Sequence, residues 1–285
     1  MKVLILGANG MAGHAISLYF KEQGFDVTGF TRQPITYCKN ILGDALKPED
    51  IKAALVSDDF DVVINAIGIL NQKAEDNKAM AVKLNGYLPH FVAESLRNRK
   101  TKLIHMSTDC VFAGNSGPYY EDSFPDGKIF YDRSKAIGEV LDDKNLTFRN
   151  SIIGPDTNKN GIGLFNWFMN QEGPIYGYTG AIWTGVTTIT LAKAMEAAIK
   201  ENLTGLYNLV NNESISKYDL LCLFSKYCRD DKIQINPNNK LQLDKSLRNR
   251  RNDFSFIVPS YDQQVKEMFE WINSHKELYS HYFIK

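Results

Sequence analysis

The sequence lacks an excess of charge of either sign, closely spaced cysteines and long apolar runs. Lys plus Arg and Asp plus Glu both total 33, so no one-signed field favours nucleic acid or an anionic membrane. The four cysteines, Cys38, Cys110, Cys222 and Cys228, form no Cys-x-x-Cys pair, which argues against a zinc site and a disulfide framework. No apolar run approaches a membrane span. We therefore expect a cytoplasmic protein without nucleic-acid or membrane partners.

The composition is that of a globular protein, because 285 residues with 44% hydrophobic side chains can bury a substantial core. In the first half, short aliphatic runs alternate with segments whose apolar residues recur at helical spacing. The predicted strands are Lys2–Leu6, Asp26–Phe30, Asp61–Asn65, Lys102–Ser107 and Leu146–Arg149, and the predicted helices are Ala12–Gln23, Pro48–Val56, Ala79–Asn98 and Tyr131–Leu141. This alternation predicts an α/β fold, a Rossmann-type doubly wound parallel sheet covered by helices.

A glycine-rich turn follows the first predicted strand directly. It reads Gly-x-x-Gly-x-x-Gly, with Gly7, Asn9, Gly10, Met11 and Gly13 in a turn that leads into a helix. Glycine permits a tight turn and a close approach of a pyrophosphate to backbone amides, and the helix N-terminus offers free N–H groups. The order of strand, turn and helix favours a dinucleotide site over a purely structural turn.

The end of the second predicted strand indicates which dinucleotide is bound. An acidic residue at this place accepts hydrogen bonds from a free ribose 2′-hydroxyl, but here the chain reads Thr31-Arg32. The guanidinium of Arg32 offers a charge-assisted fork to a 2′-phosphate, and Thr31 adds a hydroxyl. NADPH is therefore predicted, with NADH left open because Arg32 can also be a solvated side chain at a strand end.

Two further segments are placed beside the expected cofactor by their position after strands. Asp44 is predicted near the adenine edge, and Ala66, Ile67 and Gly68 follow the third predicted strand. We expect a dinucleotide-binding domain in residues 1–150, to which 187–210 returns, and a smaller C-terminal substrate-binding lobe in 151–285.

The second half is less regular than the first. Frequent Gly and Pro between 154 and 180 predict loops over a substrate cleft. Beyond them, periodicity predicts helices at Thr187–Lys200, Lys217–Arg229 and Tyr261–Ser274, and strands at Leu206–Val210 and Lys232–Ile235.

A catalytic arrangement is indicated by Tyr131 and Lys135, which share one helix face at i, i+4 spacing. An ammonium close to a phenol lowers the phenol pKa toward neutrality, where the phenol can exchange a proton. The fourth predicted strand ends at Ser107-Thr108, at the edge of the sheet where ligands bind in parallel sheets. The Thr108 hydroxyl can hydrogen-bond and polarise a substrate carbonyl there.

The chain resembles the extended short-chain dehydrogenases and, within them, dTDP-4-dehydrorhamnose reductases and their sugar-nucleotide relatives. Four segments carry the resemblance: the Gly7–Gly13 turn, Ser107–Phe112 (similar to Ser-Thr-Asp-Tyr-Val-Phe), Tyr131–Lys135 continuing to Gly138-Glu139, and Asn85–Ala93 (Asn-x-x-x-Pro-x-x-x-Ala). The resemblance implies that Tyr131 is the general acid, that Lys135 lowers its pKa and holds the nicotinamide ribose, and that Thr108 orients the keto oxygen of a nucleotide-linked 6-deoxysugar.

Five residues are candidates for substrate binding. Asp109 and Cys110 follow Thr108, and Cys110 stands where the family usually has tyrosine. Arg149 and Asn150 close the fifth predicted strand, where substrate contact and structural hydrogen bonding are equally open. Trp183 begins a Trp-Thr-Gly-Val-Thr segment in place of a proline-containing stretch, and it can stack on the nucleotide or anchor the core.

Other functions remain open on the same residues. A 4,6-dehydratase is disfavoured because Cys110 replaces the second carboxylate that elimination needs. A sugar-nucleotide 4-epimerase would use the same tyrosine and lysine, and a non-catalytic cofactor-binding subunit, like the regulatory subunit of methionine adenosyltransferase, shares the fold. A homodimer also remains open.

Overall fold

The computed structural model describes residues 1–283. Its centre is a seven-stranded sheet in the order β10-β6-β5-β4-β1-β2-β3, with every neighbouring pair parallel. The strands of this sheet are β1 (Lys2–Leu6), β2 (Asp26–Thr31), β3 (Lys39–Leu42), β4 (Val62–Asn65), β5 (Lys102–Met106), β6 (Leu146–Arg149) and β10 (Gly205–Asn208). The predicted Rossmann-type parallel sheet is therefore confirmed.

Helices cover both faces of this sheet, as the buried apolar runs of its central strands require. They are α1 (Met11–Glu22), α2 (Pro48–Val56), α3 (Asn71–Asp76), α4 (Lys78–Ala81), α5 (Leu88–Ser95), α6 (Phe130–Ile137) and α8 (Thr188–Lys200). One apolar cluster joins the sheet to α1 and α8, and another joins the opposite face to α2 and α5.

The remaining elements form two small sheets with their own helices. The strands are β7 (Ser151–Ile153), β8 (Ile175–Trp183), β9 (Gly185–Thr187), β11 (Ile215–Ser216) and β12 (Ile235–Asp244), and the helices are α7 (Leu164–Met169), α9 (Lys217–Cys228) and α10 (Tyr261–Ser274). The sheet orders are β11-β8-β12 and β7-β9. A third apolar cluster packs α7, α9 and α10 against one side of α1.

Several predicted element bounds are wrong. The expected loops between 154 and 180 contain α7 and most of β8, and the strand predicted at Lys232–Ile235 only begins at Ile235 and runs to Asp244. β12 is a mostly exposed strand, so its side chains carry little of the alternation that sequence reading needs. β3 was not predicted for the same reason, since it closes one edge of the large sheet.

The segment predicted as one helix at Ala79–Asn98 is divided. A turn of π-helix at Val82–Tyr87 separates α4 from α5. Asn85 lies in this turn, where its side-chain amide donates to the carbonyl of Ile69 at 2.9 Å and to Ser134 Oγ at 3.0 Å. π-Turns widen a helix locally and often occur at functional sites. Here the widened turn faces the helix that carries Tyr131 and Lys135.

None of the helices in residues 1–283 combines the length and the apolar character needed to cross a bilayer.

Candidate active site

The strand order reverses between β1 and β4, and this switch point lies at the carboxyl edge of the sheet. Ligands of open α/β sheets bind in such a crevice. Gly7 follows β1, and Ala66, Ile67 and Gly68 follow β4. A Cβ built on Gly7 would lie 2.9 Å from the Ile67 side chain, so the two segments predicted to hold the cofactor meet here.

Gly7 and Gly13 occupy positions in the turn where a side chain would not fit without strain. Gly7 has φ +84°, a conformation that other residues rarely adopt, and a Cβ on Gly13 would lie 2.1 Å from the carbonyl oxygen of Gly7. Asn9 and Gly10 are exposed, and within residues 1–283 no side chain caps the start of α1 at Gly10. This cradle of backbone at an uncapped helix N-terminus fits a pyrophosphate.

The residues predicted to contact the adenosine end lie beside this turn. Gly7 N donates to Phe30 O at 3.0 Å, which places the carboxyl end of β2 next to the turn, and Arg32 follows there as an exposed side chain. The Thr31 hydroxyl donates to Gln33 O at 2.6 Å and so is directed into its own loop. Asp44 accepts from Leu46 N at 3.0 Å, ahead of α2. The Arg32 side chain is therefore more available to bind a 2′-phosphate than the Thr31 hydroxyl is.

Thr108, Tyr131 and Lys135 converge at the carboxyl end of β5. Thr108 Oγ1 donates to Asp109 Oδ1 at 3.1 Å and accepts from Cys110 N at 3.2 Å. The Tyr131 phenol lies close enough to the Thr108 hydroxyl for that hydroxyl to affect the phenol pKa, and both residues are buried. Tyr131 also packs in an apolar cluster that includes Cys110. Sequence reasoning placed these residues together, and the structure does the same.

The pKa of Tyr131 differs from the expectation drawn from the sequence. Burial raises the pKa of Tyr131, with a smaller contribution from Cys110, and the Thr108 hydroxyl opposes this rise. Lys135 Nζ donates to Met106 O at 2.6 Å, and burial lowers the Lys135 pKa to about 8. The predicted lowering of the Tyr131 pKa by Lys135 is therefore not found. A phenol that keeps its proton at neutral pH is the form that can act as a general acid.

Two lysines from the second half of the chain lie near Asp109 and Asp132, which neighbour Thr108 and Tyr131 in the chain. Lys217 Nζ lies 5.0 Å from the centre of the Trp183 ring and interacts electrostatically with Asp109. Lys245 Nζ lies 3.8 Å from Asp132 Oδ2. Sequence analysis did not identify these lysines, because no motif marks them and only the fold brings them to the site.

The carboxyl groups beside the catalytic residues are buried. Burial raises the pKa of Asp109, whose side chain follows Thr108, and it raises the Cys110 pKa to about 12. Cys110 therefore stays a thiol and is not an activated nucleophile. No group of three or more His, Cys, Asp or Glu side chains in the described chain is arranged to hold a metal ion.

Arg149 lies in a buried ion pair. Its Nε donates to Glu139 Oε1 at 2.8 Å, its Nη2 donates to Glu139 Oε2 at 2.7 Å, and its Nη1 donates to Tyr120 O at 3.3 Å. Ser107 Oγ donates to the same Glu139 Oε1 at 2.6 Å. These contacts occupy the guanidinium and give Arg149 a structural role, in place of the substrate contact that was the other prediction.

Asn150 and Trp183 are both buried near this edge of the sheet. Among the described residues, Asn150 Oδ1 and Trp183 Nε1 have no hydrogen-bond partner. Asn150 Oδ1 is therefore an acceptor without a partner, and its substrate role stays a prediction. Trp183 is 3% exposed and packs 5.6 Å from the Tyr261 ring, so its indole anchors the core rather than offering an open stacking face.

Comparison with known sequences agrees with this geometry. The family described as the RmlD substrate binding domain matches residues 1–272. The chain belongs to this family. The predicted relationship to dTDP-4-dehydrorhamnose reductases is thereby confirmed.

Individual relatives are distant. The chain is 32% identical over 143 residues to a probable low-salt glycan biosynthesis reductase, Agl14, of Haloferax volcanii, a match that covers 49% of this chain and about half (48%) of that protein's length. It is 25% identical over 298 residues to the dTDP-4-dehydrorhamnose reductase of Escherichia coli, covering 94% and 97% of the two chains.

A solved structure shares the fold. The dTDP-4-dehydrorhamnose reductase of Bacillus anthracis in complex with NADP superimposes with a TM-score of 0.80 at 21% identity, covering 95% of this chain and 99% of that one.

Proposed function

We propose that the protein reduces the 4-keto group of a nucleotide-linked 6-deoxysugar with NADPH. The observation that carries the proposal is the convergence of Thr108, Tyr131 and Lys135 beside the β1–β4 switch point. A ketone reduction needs one hydrogen-bond donor that fixes the carbonyl oxygen and one acid that protonates it. Thr108 and Tyr131 supply these two groups side by side.

The cofactor site is assigned from the glycine cradle and the end of β2. The backbone of Gly7–Gly13 holds the pyrophosphate, and the exposed guanidinium of Arg32 pairs with the 2′-phosphate. Thr31 and Asp44 line the adenosine, and the Ala66–Gly68 segment supports the nicotinamide half. The relative from Bacillus anthracis, solved with NADP, supports the choice of a phosphorylated dinucleotide. When bound, NADPH supplies a hydride to the keto carbon.

Residues of the chain orient and protonate the carbonyl oxygen of the substrate. Thr108 donates a hydrogen bond to that oxygen and holds it against the phenol of Tyr131. Tyr131, buried and protonated, transfers its proton to the oxygen as the alcohol forms. Lys135, whose Nζ donates to Met106 O at the end of β5, holds the nicotinamide ribose.

Asp109, Cys110 and Asn150 bind the sugar in this proposal. Asn150 Oδ1, buried and unpaired in the described part of the molecule, accepts a hydrogen bond from a substrate hydroxyl or amide. Cys110 leaves more room beside the pyranose than the tyrosine usual in the family, so we propose that it admits a bulkier sugar substituent.

The test is a panel of dTDP-, UDP- and GDP-linked 4-keto-6-deoxysugars, with NADPH oxidation followed by absorbance and the products identified by NMR. We expect one substrate to oxidise NADPH stoichiometrically and to yield a 6-deoxyhexose. An epimerase would interconvert sugars without net loss of NADPH. A binding-only subunit would bind NADPH and turn over no member of the panel.

A further inference from the structure

Two backbone carbonyls of the Gly7–Gly13 turn accept hydrogen bonds from side chains that lie outside the turn. Tyr37, in the loop between β2 and β3, donates its phenol proton to Ala8 O at 2.7 Å. His14, one turn into α1, places Nδ1 3.1 Å from Gly10 O. Both carbonyls therefore have a side-chain donor, and Gly10 O also accepts the helical hydrogen bond from His14 N at 2.9 Å, so the imidazole is its second donor.

His14 is in turn fixed by the C-terminal part of the chain. Its Nε2 lies 2.8 Å from the hydroxyl of Tyr279, and Trp271 Nε1 donates to that hydroxyl at 3.2 Å. His14 and Tyr279 are both fully buried. The three side chains form one hydrogen-bonded series that runs from α10 to the turn.

The direction of each proton in this series follows from its acceptors. Gly10 O only accepts, so Nδ1 of His14 carries the proton and Nε2 accepts from Tyr279. The Tyr279 oxygen is left to accept from the Trp271 indole. Burial lowers the His14 pKa, which agrees with a neutral ring of this tautomer. Every polar atom of the series then has a partner.

The consequence concerns the amides on the other side of the same peptide groups. In a planar trans peptide the carbonyl and the following N–H point in opposite directions. Fixing Ala8 O and Gly10 O therefore fixes the N–H groups of Asn9 and Met11. Those two residues belong to the turn that the proposed function gives to the pyrophosphate.

We infer that Tyr37, His14 and Tyr279 are positioning residues for the cofactor, which aim the Asn9 and Met11 amides at the pyrophosphate. This inference rests on the proposed function and adds residues from the β2–β3 loop and the C-terminal segment to it. A turn whose amides are already oriented loses less conformational freedom when the pyrophosphate binds.

The experiment compares Tyr279→Phe and Tyr37→Phe with Tyr282→Phe. Each change removes one hydroxyl and keeps the ring. Tyr282 is the matched control because it lies on the same C-terminal segment, but its hydroxyl bonds to Asp156 N at 2.9 Å and Asn166 Oδ1 at 2.8 Å, away from the turn. The dissociation constants of NADPH and of 2′-AMP, which has the 2′-phosphate but no pyrophosphate, are measured by calorimetry.

We expect Tyr279→Phe and Tyr37→Phe each to weaken NADPH by roughly 3- to 10-fold, the usual range for one hydrogen bond, with 2′-AMP changed less than about twofold. Tyr282→Phe should leave the dissociation constants of both ligands unchanged. In all three variants, kcat at saturating NADPH should stay near that of the wild type. Unchanged NADPH affinity in both test variants, or an equal loss for 2′-AMP, would overturn the inference.

A rescue variant separates positioning from general stability. Asn donates to the carbonyl four residues earlier elsewhere in this chain, as Asn170 Nδ2 does to Asn166 O at 3.0 Å. His14→Asn should therefore keep most of the NADPH affinity and make it insensitive to Tyr279→Phe. A further tenfold loss of NADPH affinity when Tyr279→Phe is added to His14→Asn would contradict the hydrogen-bonded series.

The outcome also distinguishes this inference from the proposed function. A wild-type protein that binds and oxidises NADPH while Tyr279→Phe and Tyr37→Phe behave identically to it rejects the positioning role alone. A wild-type protein that binds only NADH moves the same test to NADH, which carries the same pyrophosphate. A wild-type protein that binds neither dinucleotide rejects both.

Discussion

Arg149 and Glu139 form a two-point ion pair inside the protein, and their side chains are 2% and 4% exposed. Glu139 lies one turn beyond Lys135, just after α6, and also accepts from Ser107 at the end of β5. The pair therefore ties the chain just after α6, the helix that carries Tyr131 and Lys135, to β5 and β6.

Arg149→Met should destabilise the protein by about 3–5 kcal/mol, because it leaves the Glu139 carboxylate buried without its cation. Denaturant unfolding measures this change. Arg97→Ala, which removes an exposed arginine in the turn after α5, is the control and should change stability by less than about 0.5 kcal/mol. Equal losses of stability in the two variants would show that the buried ion pair stabilises the protein no more than an exposed arginine does.

Tyr131→Phe should lower kcat by roughly 10²–10⁴-fold while the NADPH dissociation constant stays within about twofold, because only the proton donor is lost. Steady-state kinetics on the sugar identified by the panel, with NADPH binding by fluorescence, measures both. Tyr119→Phe is the control, since that buried tyrosine contacts Gly114 and Ser116 and lies outside the catalytic cluster. Near-normal turnover in Tyr131→Phe would reject the assigned acid.

Arg32→Ala should weaken NADPH by roughly 10- to 100-fold and leave NADH nearly unchanged, because a charged hydrogen bond to the 2′-phosphate is lost. The two dissociation constants are measured under one salt concentration, since exposed ion pairs are screened. Arg133→Ala removes an exposed arginine of α6, which does not lie at the end of β2, and should not alter the ratio of the two dissociation constants. A constant NADPH:NADH preference in Arg32→Ala would remove the argument for the phosphorylated cofactor.

The rate should depend on the charge of Lys135. Its pKa is lowered to about 8, so the ammonium is present below that pH and is lost above it. We expect kcat/KM to be level up to about pH 8 and then to fall, approaching tenfold per pH unit. Lys217 also has a pKa lowered to about 8 by burial, so Lys217→Met is the necessary control. A fall that disappears in Lys217→Met would assign the titration to Lys217.

Gly13→Ala should destabilise the fold by about 1–3 kcal/mol, because the added Cβ would lie 2.1 Å from Gly7 O and must displace the turn. NADPH affinity should fall with it. Gly173→Ala is the matched control, since its Cβ meets no atom within 4 Å. Thermal unfolding of the two variants checks this, and a Gly13→Ala protein as stable as the control would contradict the close approach.

Sequence patterns predicted most of the large sheet and the helix that carries Tyr131 and Lys135, because both rest on local signals. β1 is a buried aliphatic run, and Tyr131 and Lys135 lie at a spacing that one helix turn enforces. Exposed or edge strands such as β3 and β12 gave no such signal, because one face or edge meets water and their residues are polar. The π-turn around Asn85 depends on packing against α6, which periodicity does not encode.

The sequence by itself determined the strands of the parallel sheet, the glycine turn at Gly7–Gly13 and the shared helix face of Tyr131 and Lys135, since each depends on residues close together in the chain. Only the tertiary structure decided the roles of Arg149 and the pKa of Tyr131, because burial and ion pairing arise from residues that meet after folding. The same holds for the contact between Tyr279 and His14, which are 265 positions apart. No local pattern indicates a hydrogen bond across that distance; the packing of α10 and the residues after it beside α1 creates it.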